Sequence, residues 1–253
     1  MKIVDVHTHL STGEDRLKRL IEACERADVA KCFLCALPSK GRVENNLVEE
    51  AMREYPDLVE GFAYIDLDGD DAKVVDDCYS KGFTGFKLIA PQKPYEDKGY
   101  FKYYERIERY SMPALFHVGI IARGLKTRGS YITSSNMRPV YLETIARAFP
   151  EMKVIGAHLG QPWCYEAAVV MLHNPNVYFD ISGGHTLHIA LTIRERLHHD
   201  IDPDRLLFGS DWGGMNPDGI LRYVHYWQIL LPQLGVKREE IEKIFYKNAL
   251  NLL

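Results

Sequence analysis

Apolar and polar positions along the chain repeat one unit. Short strand-like runs occur at KIVDVHTH, KCFLCAL, VEGFAYIDL, FTGFKLIA, PALFHVG, KVIGAHLG, VYFDISG and RLLFGSDW. Between them lie stretches with apolar residues three and four apart, such as EDRLKRLIEACERA, ENNLVEEAMREY, DAKVVDDCYSK, YFKYYERIERY, RPVYLETIARAF and YEAAVVMLH, which predict helices. Pro139 and Pro150 bracket one of these, and PDGILRYVHYWQILL and REEIEKIFYKNALNLL supply the last two. Taking Ile3, Lys31, Val59, Phe83, Pro113, Lys153, Val177 and Arg205 as first residues, successive strands begin 28, 28, 24, 30, 40, 24 and 28 residues apart.

Eight strands alternating with helices predict an α/β fold, a (β/α)8 TIM barrel, occupying residues 1–253 as one domain. The competing architecture is a doubly wound open sheet. It would more often carry a glycine-rich phosphate turn after its first strand, and none is present. The 40-residue interval holds a long loop, IIARGLKTRGSYITSSN, placed to cover a site.

Composition narrows the function more than the fold. Hydrophobic content of 46% and charged content of 26% are those of an ordinary globular protein. A net charge of −4 offers no basic footprint for nucleic acid, and no apolar stretch is long enough to span a membrane. The first residues read as a strand rather than a signal segment, and five cysteines, an odd number, point to reduced thiols; both favour a cytoplasmic setting. Cys32 and Cys35 form a C-x-x-C inside an apolar run, which reads as buried thiols rather than a redox pair.

Candidate chemistry sits where a barrel places it, at the carboxyl ends of the strands. The first strand ends in His7 and His9. In regular alternation these share a face with Asp5, opposite Val4, Val6 and Thr8. Two such imidazoles are either hydrogen-bonded histidines or a metal-ligand pair. Lys87 follows on the fourth strand, His117 on the fifth, His158 on the sixth and Asp211 on the eighth. Singly, each reads as a satisfied core or surface group. Together they suit a borderline-soft divalent cation, Zn2+ ahead of Mn2+ or Fe2+.

The motifs DVHTH, GFKL, FHVG, AHLGQPW, YEAAVVMLHNPNVYFDISG, FGSDW and the closing NALNLL together resemble the amidohydrolase superfamily. More narrowly, they resemble the amidohydrolase-2 branch that includes aminocarboxymuconate-semialdehyde decarboxylase-like enzymes. The resemblance runs from end to end and implies a metal-dependent enzyme. It implies that His7, His9, His117 and Asp211 hold the ion, with His158 off the metal as acid/base and Asp211 accepting the proton of the nucleophilic water. For Lys87 three readings stand: an uncarbamylated amine pairing with an anionic substrate, a carbamate bridging a second metal as in other branches, or a structural ion pair. The first is preferred, with one ion.

Substrate contacts are sought around the mouth. Arg123 and Arg128, with Lys126, Tyr131 and Arg138, offer carboxylate clamps or a solvated cationic loop. Trp163, Tyr165 and Trp212 could wall an apolar pocket, although Trp163 could equally pack under a loop, and His185 lies in a glycine-rich turn. His173, His188, His225, His198 and His199 receive no role.

The expected function is hydrolysis of an amide, ester or lactone in a small, acidic substrate. The alternative is a nonoxidative decarboxylase or hydratase on the same metal, and a non-catalytic scaffold is the bland competitor. A TatD-like nuclease is disfavoured by Lys87 and by the missing basic surface. No nucleic-acid or membrane partner is expected, and a homo-oligomer stays open.

Overall fold

A computed structural model describes residues 1–10, 12–39, 43–121, 131–184 and 186–253. Eight parallel strands follow one another in sequence order around one sheet: β1 (Ile3–Thr8), β2 (Val29–Cys35), β3 (Val59–Tyr64), β4 (Gly85–Leu88), β5 (Ala114–Phe116), β6 (Val154–Gly156), β7 (Val177–Asp180) and β8 (Leu206–Leu207). The helices between them are α1 (Arg16–Arg26), α2 (Val43–Glu54), α3 (Val74–Ser80), α4 (Phe101–Arg109), α5 (Tyr141–Ala148), α6 (Cys164–His173), α7 (Thr186–Arg196) and α8 (Gly219–Gln233). After α8 come α9 (Arg238–Glu242), a π turn (Lys243–Lys247) and a last helical turn (Asn248–Leu250). The expected (β/α)8 barrel is the fold. Its seam is closed by three backbone hydrogen bonds, from Val6 N to the Phe208 carbonyl (3.0 Å), Asp211 N to that of His7 (2.8 Å) and His9 N to that of Trp212 (2.6 Å).

Alternation sorts the strand residues into two cores. One face packs outward on the helices, where α1 buries Leu20, Ile21, Ala23 and Cys24. The other fills the barrel interior with Val4, Val6, Phe33, Phe62, Leu115, Ile155 and Leu207. Phe33 and Phe62 stack at 4.9 Å, and Gly85 makes room for them: a Cβ there would fall 2.4 Å from Phe62 Cζ. Cys32 belongs to the outer core and Cys35 to the inner one, so this C-x-x-C is split across the wall, and all five cysteines are buried and outside any disulfide. Burial pushes the Cys35 thiol up to about 12. Among the described residues, no helix is long and apolar enough to cross a membrane.

One expectation about β1 needs correction. Regular alternation would put Asp5 on the face of His7 and His9, with Val6 opposite. Instead the pairing with β2 slips by one residue: Asp5 faces Cys32 and Thr8 faces Leu34, so Val6 and His7 together oppose Phe33. This bulge turns both His7 and Val6 toward the interior. Asp5 braces it, since its Oδ1 accepts the backbone N–H groups of His7 (3.1 Å) and Ser210 (2.9 Å). Burial lifts the Asp5 carboxyl to about 7, and its Oδ2 has no partner among the described residues.

Candidate metal centre and active site

Above the aromatic floor, the strand ends deliver polar side chains into one mouth. His7, His9 and Asp211 come together, with one donor atom from each within 4.8 Å of the others, an arrangement able to hold a metal ion. Asp211 Oδ1 lies 3.3 Å from His9 Nε2 and 3.6 Å from His7 Nε2. Lys87, fully buried, brings its Nζ to 2.8 Å from His7 Nε2. His117 and His158 stand opposite one another, with Nδ1 of the first 3.3 Å from Nε2 of the second. The His7 and His158 rings stack at 5.1 Å. His158 and Asp211 both adopt left-handed backbone, φ 59° and 54°, a conformation side chains other than glycine seldom take outside functional sites.

The hydrogen-bond partners decide which imidazole nitrogens carry protons. His9 Nδ1 lies 2.7 Å from the Cys35 carbonyl, which can only accept, so Nδ1 carries a hydrogen. Its Nε2 faces Asp211 Oδ1 at 3.3 Å, a contact that either a proton on Nε2 or a shared cation bridges. His7 likewise donates from Nδ1 to Asp180 Oδ2 at 2.9 Å. Its Nε2 accepts from Lys87 Nζ at 2.8 Å and lies 3.6 Å from Asp211 Oδ1. His117 Nε2 is buried and has no hydrogen-bond partner among the described residues. Donors of this kind, with Nδ1 protons anchored behind them, fit a divalent ion.

Burial favours the neutral form at two of the imidazoles. Burial, with the Lys87 amine beside it, lowers His7 to about 3, and burial beside His158 and Lys87 holds His117 well below the usual histidine range. Partial burial alone would lift the Asp211 carboxyl, but the facing imidazoles of His7, His9 and His158 outweigh it and hold the group well below the usual carboxylate range. Asp180 is also held low against its burial, mainly by His7. The Lys87 amine is pushed down by burial, and His7 Nε2 is its hydrogen-bond partner among the described residues.

Two residues that the strand-end reading passed over sit at the centre of this arrangement. Asp180 closes β7, and its Oδ1 accepts from the backbone N–H of His158 (2.8 Å) and Ser182 (2.9 Å) and from the Ser182 hydroxyl (2.5 Å). Ser182 Oγ in turn lies 2.8 Å from His158 Nδ1 and 3.1 Å from His7 Nδ1. The signal was available: FDIS ends the seventh strand as GSD ends the eighth. His7, His158 and Asp180 form a second group with donor atoms within 4.8 Å, but the Ser182 hydroxyl already joins them by hydrogen bonds.

The expected substrate contacts fare differently. Trp212 is 6% exposed and packed in the outer core, its Nε1 donating to the Asn216 carbonyl, so its ring is no open pocket wall. Trp163 lies beneath the Arg138 guanidinium at 5.3 Å, and that guanidinium is engaged with Glu166. Tyr131 is exposed, and Tyr165, also exposed, stacks under Arg196. Arg123, Lys126, Arg128 and His185 lie outside the described residues. Of the histidines given no role, His188 contacts Gln161, His198 faces Glu240 and His199 pairs with Asp200.

A parallel (β/α)8 barrel with imidazoles and a carboxylate converging at its carboxyl-end mouth defines the class of metal-dependent barrel enzymes. Comparison with known sequences makes the assignment specific. The chain belongs to the amidohydrolase family, whose sequence profile matches residues 11–253. No curated protein matches it. Among solved structures, an uncharacterised TIM-barrel protein from Bordetella bronchiseptica aligns with a TM-score of 0.77 at 18% identity, covering 100% of this chain and 98% of that one. A 2,6-dihydroxybenzoate decarboxylase complexed with 2,6-dihydroxybenzoate aligns at 0.69 and 16%, covering 99% and 97%. A 4-oxalomesaconate hydratase from Rhodopseudomonas palustris aligns at 0.69 and 17%, covering 99% and 95%. At these identities the likeness concerns the fold.

Proposed function

We propose that the chain is a metal-dependent hydrolase of a small carboxylic-acid substrate, opening an amide, ester or lactone with an activated water. One Zn2+ would be held by His7, His9, His117 and Asp211. The observation that carries this reading is the convergence of His7, His9 and Asp211, whose Oδ1 lies 3.3 Å from His9 Nε2 and 3.6 Å from His7 Nε2. Three imidazoles and one carboxylate suit Zn2+ and leave it strongly electrophilic. When bound, the ion supplies Lewis acidity toward a water molecule and a substrate oxygen.

The remaining work belongs to the side chains. Asp211 Oδ1, with its side chain 36% exposed at the mouth, accepts the proton that the attacking water gives up. His158 holds its Nδ1 proton against Ser182, which leaves Nε2 free to take a proton and deliver it to the leaving group. At 3.3 Å its contact with His117 is long and is readily exchanged for a substrate contact. Lys87, without its carbamate, turns from His7 toward a substrate oxygen once that imidazole is engaged, and so favours an anionic substrate.

Decarboxylation or hydration on the same residues is the second reading, supported by the decarboxylase and the hydratase that share the fold. The zinc-loaded chain, offered a panel of carboxylated esters and lactones and of aromatic and unsaturated acids in 18O-water, separates the readings. Label in a product carboxyl without CO2 is expected. Release of CO2, or water added across a double bond, replaces the hydrolase with the second reading. A chain that retains no divalent ion overturns both.

A further inference from the structure

We infer that Ser182 and Asp180 are positioning residues that set the tautomers of His7, His158 and His117, keeping bare the nitrogens that the ion needs. This rests on the ligand assignment proposed above and adds to it the groups that enforce it. Asp180 Oδ1 accepts the backbone N–H groups of His158 at 2.8 Å and Ser182 at 2.9 Å, so this oxygen carries no proton of its own and can only accept. The single Ser182 hydroxyl proton is therefore committed to Asp180 Oδ1 at 2.5 Å. With that proton spent, Ser182 Oγ can offer only lone pairs to the two ring nitrogens beside it, His158 Nδ1 at 2.8 Å and His7 Nδ1 at 3.1 Å. Both nitrogens must carry hydrogen, and both Nε2 atoms are bare.

The consequence passes on to a third ring. His158 Nε2, once bare, can only accept from His117 Nδ1 at 3.3 Å. His117 then has its proton on Nδ1 and its buried, unpartnered Nε2 open. His9 is set separately by the Cys35 carbonyl. One hydroxyl thus governs two imidazoles, His158 and His117, while Asp180 Oδ2 holds the His7 Nδ1 proton at 2.9 Å. Without it, His158 reverts toward the Nε2–H form that neutral imidazole prefers in water. That proton would be donated to His117 Nδ1, and the His117 proton would move to the nitrogen meant for the ion.

Long-range 1H–15N spectra of 15N-histidine-labelled, metal-free protein, recorded where the imidazoles are neutral, read these tautomers directly. In the wild type, His7, His9, His117 and His158 are expected as Nδ1–H forms. Ser182→Ala should move His158 and His117 toward Nε2–H while leaving His9 unchanged, and should weaken Zn2+ binding by roughly 10–100-fold. Ser182→Thr, which keeps the hydroxyl, should restore both readouts. Ser182→Cys, which keeps the volume and weakens the acceptor, should reproduce the alanine result without leaving a void. Unchanged tautomers of His158 and His117 in folded Ser182→Ala or Ser182→Cys overturn the inference. A wild type that binds no Zn2+ refutes the ligand assignment instead, and the metal-free spectra still decide the tautomers.

Discussion

Gly183 and Gly184 are neighbours in the turn after β7, yet an added methyl group should have opposite consequences at the two positions. Gly183 has φ +96°, and a Cβ there would stand 2.9 Å from His158 Nδ1 and 3.3 Å from its Cγ. That ring cannot retreat freely, because Nδ1 is bonded to Ser182 Oγ at 2.8 Å and its backbone N–H is held by Asp180. The left-handed backbone costs an alanine about 1–2 kcal/mol, and the overpacking about 1–3 kcal/mol more. At Gly184 a Cβ meets nothing within 4 Å among the described residues, so Gly184→Ala should stay within about 0.5 kcal/mol of the wild type. Urea unfolding of the metal-free proteins measures both. Gly183→Ala should lose about 2–5 kcal/mol, which at ~2–4 °C per kcal/mol is also a clear fall in Tm. If the two variants unfold within about 0.5 kcal/mol of each other, the crowding of His158 by residue 183 is not real.

The other expectations concern the ion and the buried amine. His9→Ala and Asp211→Ala should lose Zn2+ in equilibrium dialysis, whereas His158→Asn should keep most of it and lose most turnover; emptying of the site by His158→Asn would make His158 a ligand. Chelation should destabilise the wild type, by about 4 kcal/mol relative to a free ion concentration a thousandfold above Kd, and leave Asp211→Ala unaffected in the same thermal scan. Lys87→Met removes an amine that burial already disfavours as a cation, so the metal-free variant should unfold at equal or higher urea concentration while turnover is lost. Gly85→Ala should destabilise by about 1–3 kcal/mol because Phe62 has no room to yield, as urea unfolding would show.

Much of the barrel was legible because its determinants are periodic. Every strand begins within two residues of the position read from the apolar runs, from Ile3 at β1 to Leu206 at β8. His7, His9 and Asp211 were legible for a related reason, since a barrel collects the polar ends of its strands at one mouth. The β1 bulge was not legible, because a one-residue slip depends on the hydrogen bond that the backbone N–H of Ser210, some 200 residues away, donates to Asp5, and leaves alternation in the sequence intact. Trp212 follows a site residue in the chain but packs into the outer core, where Gly219 makes room for its ring: a Cβ on that glycine would fall 2.5 Å from Trp212 Cδ1. Asp180 and Ser182 were hidden by their apolar neighbours Phe179 and Ile181, which made the segment read as ordinary strand.

The last joint of the barrel is also its slightest, because β8 contributes only Leu206 and Leu207 to the ladder. What completes the circle is a short splice in which the backbones of His7 and Asp211, and of His9 and Trp212, are bonded to one another. Under the proposed ligand set, an ion gripped by the side chains of His7, His9 and Asp211 would rivet the cylinder shut from above. Reactivity and closure would then share a single fastening, and neither could be loosened at that edge without the other.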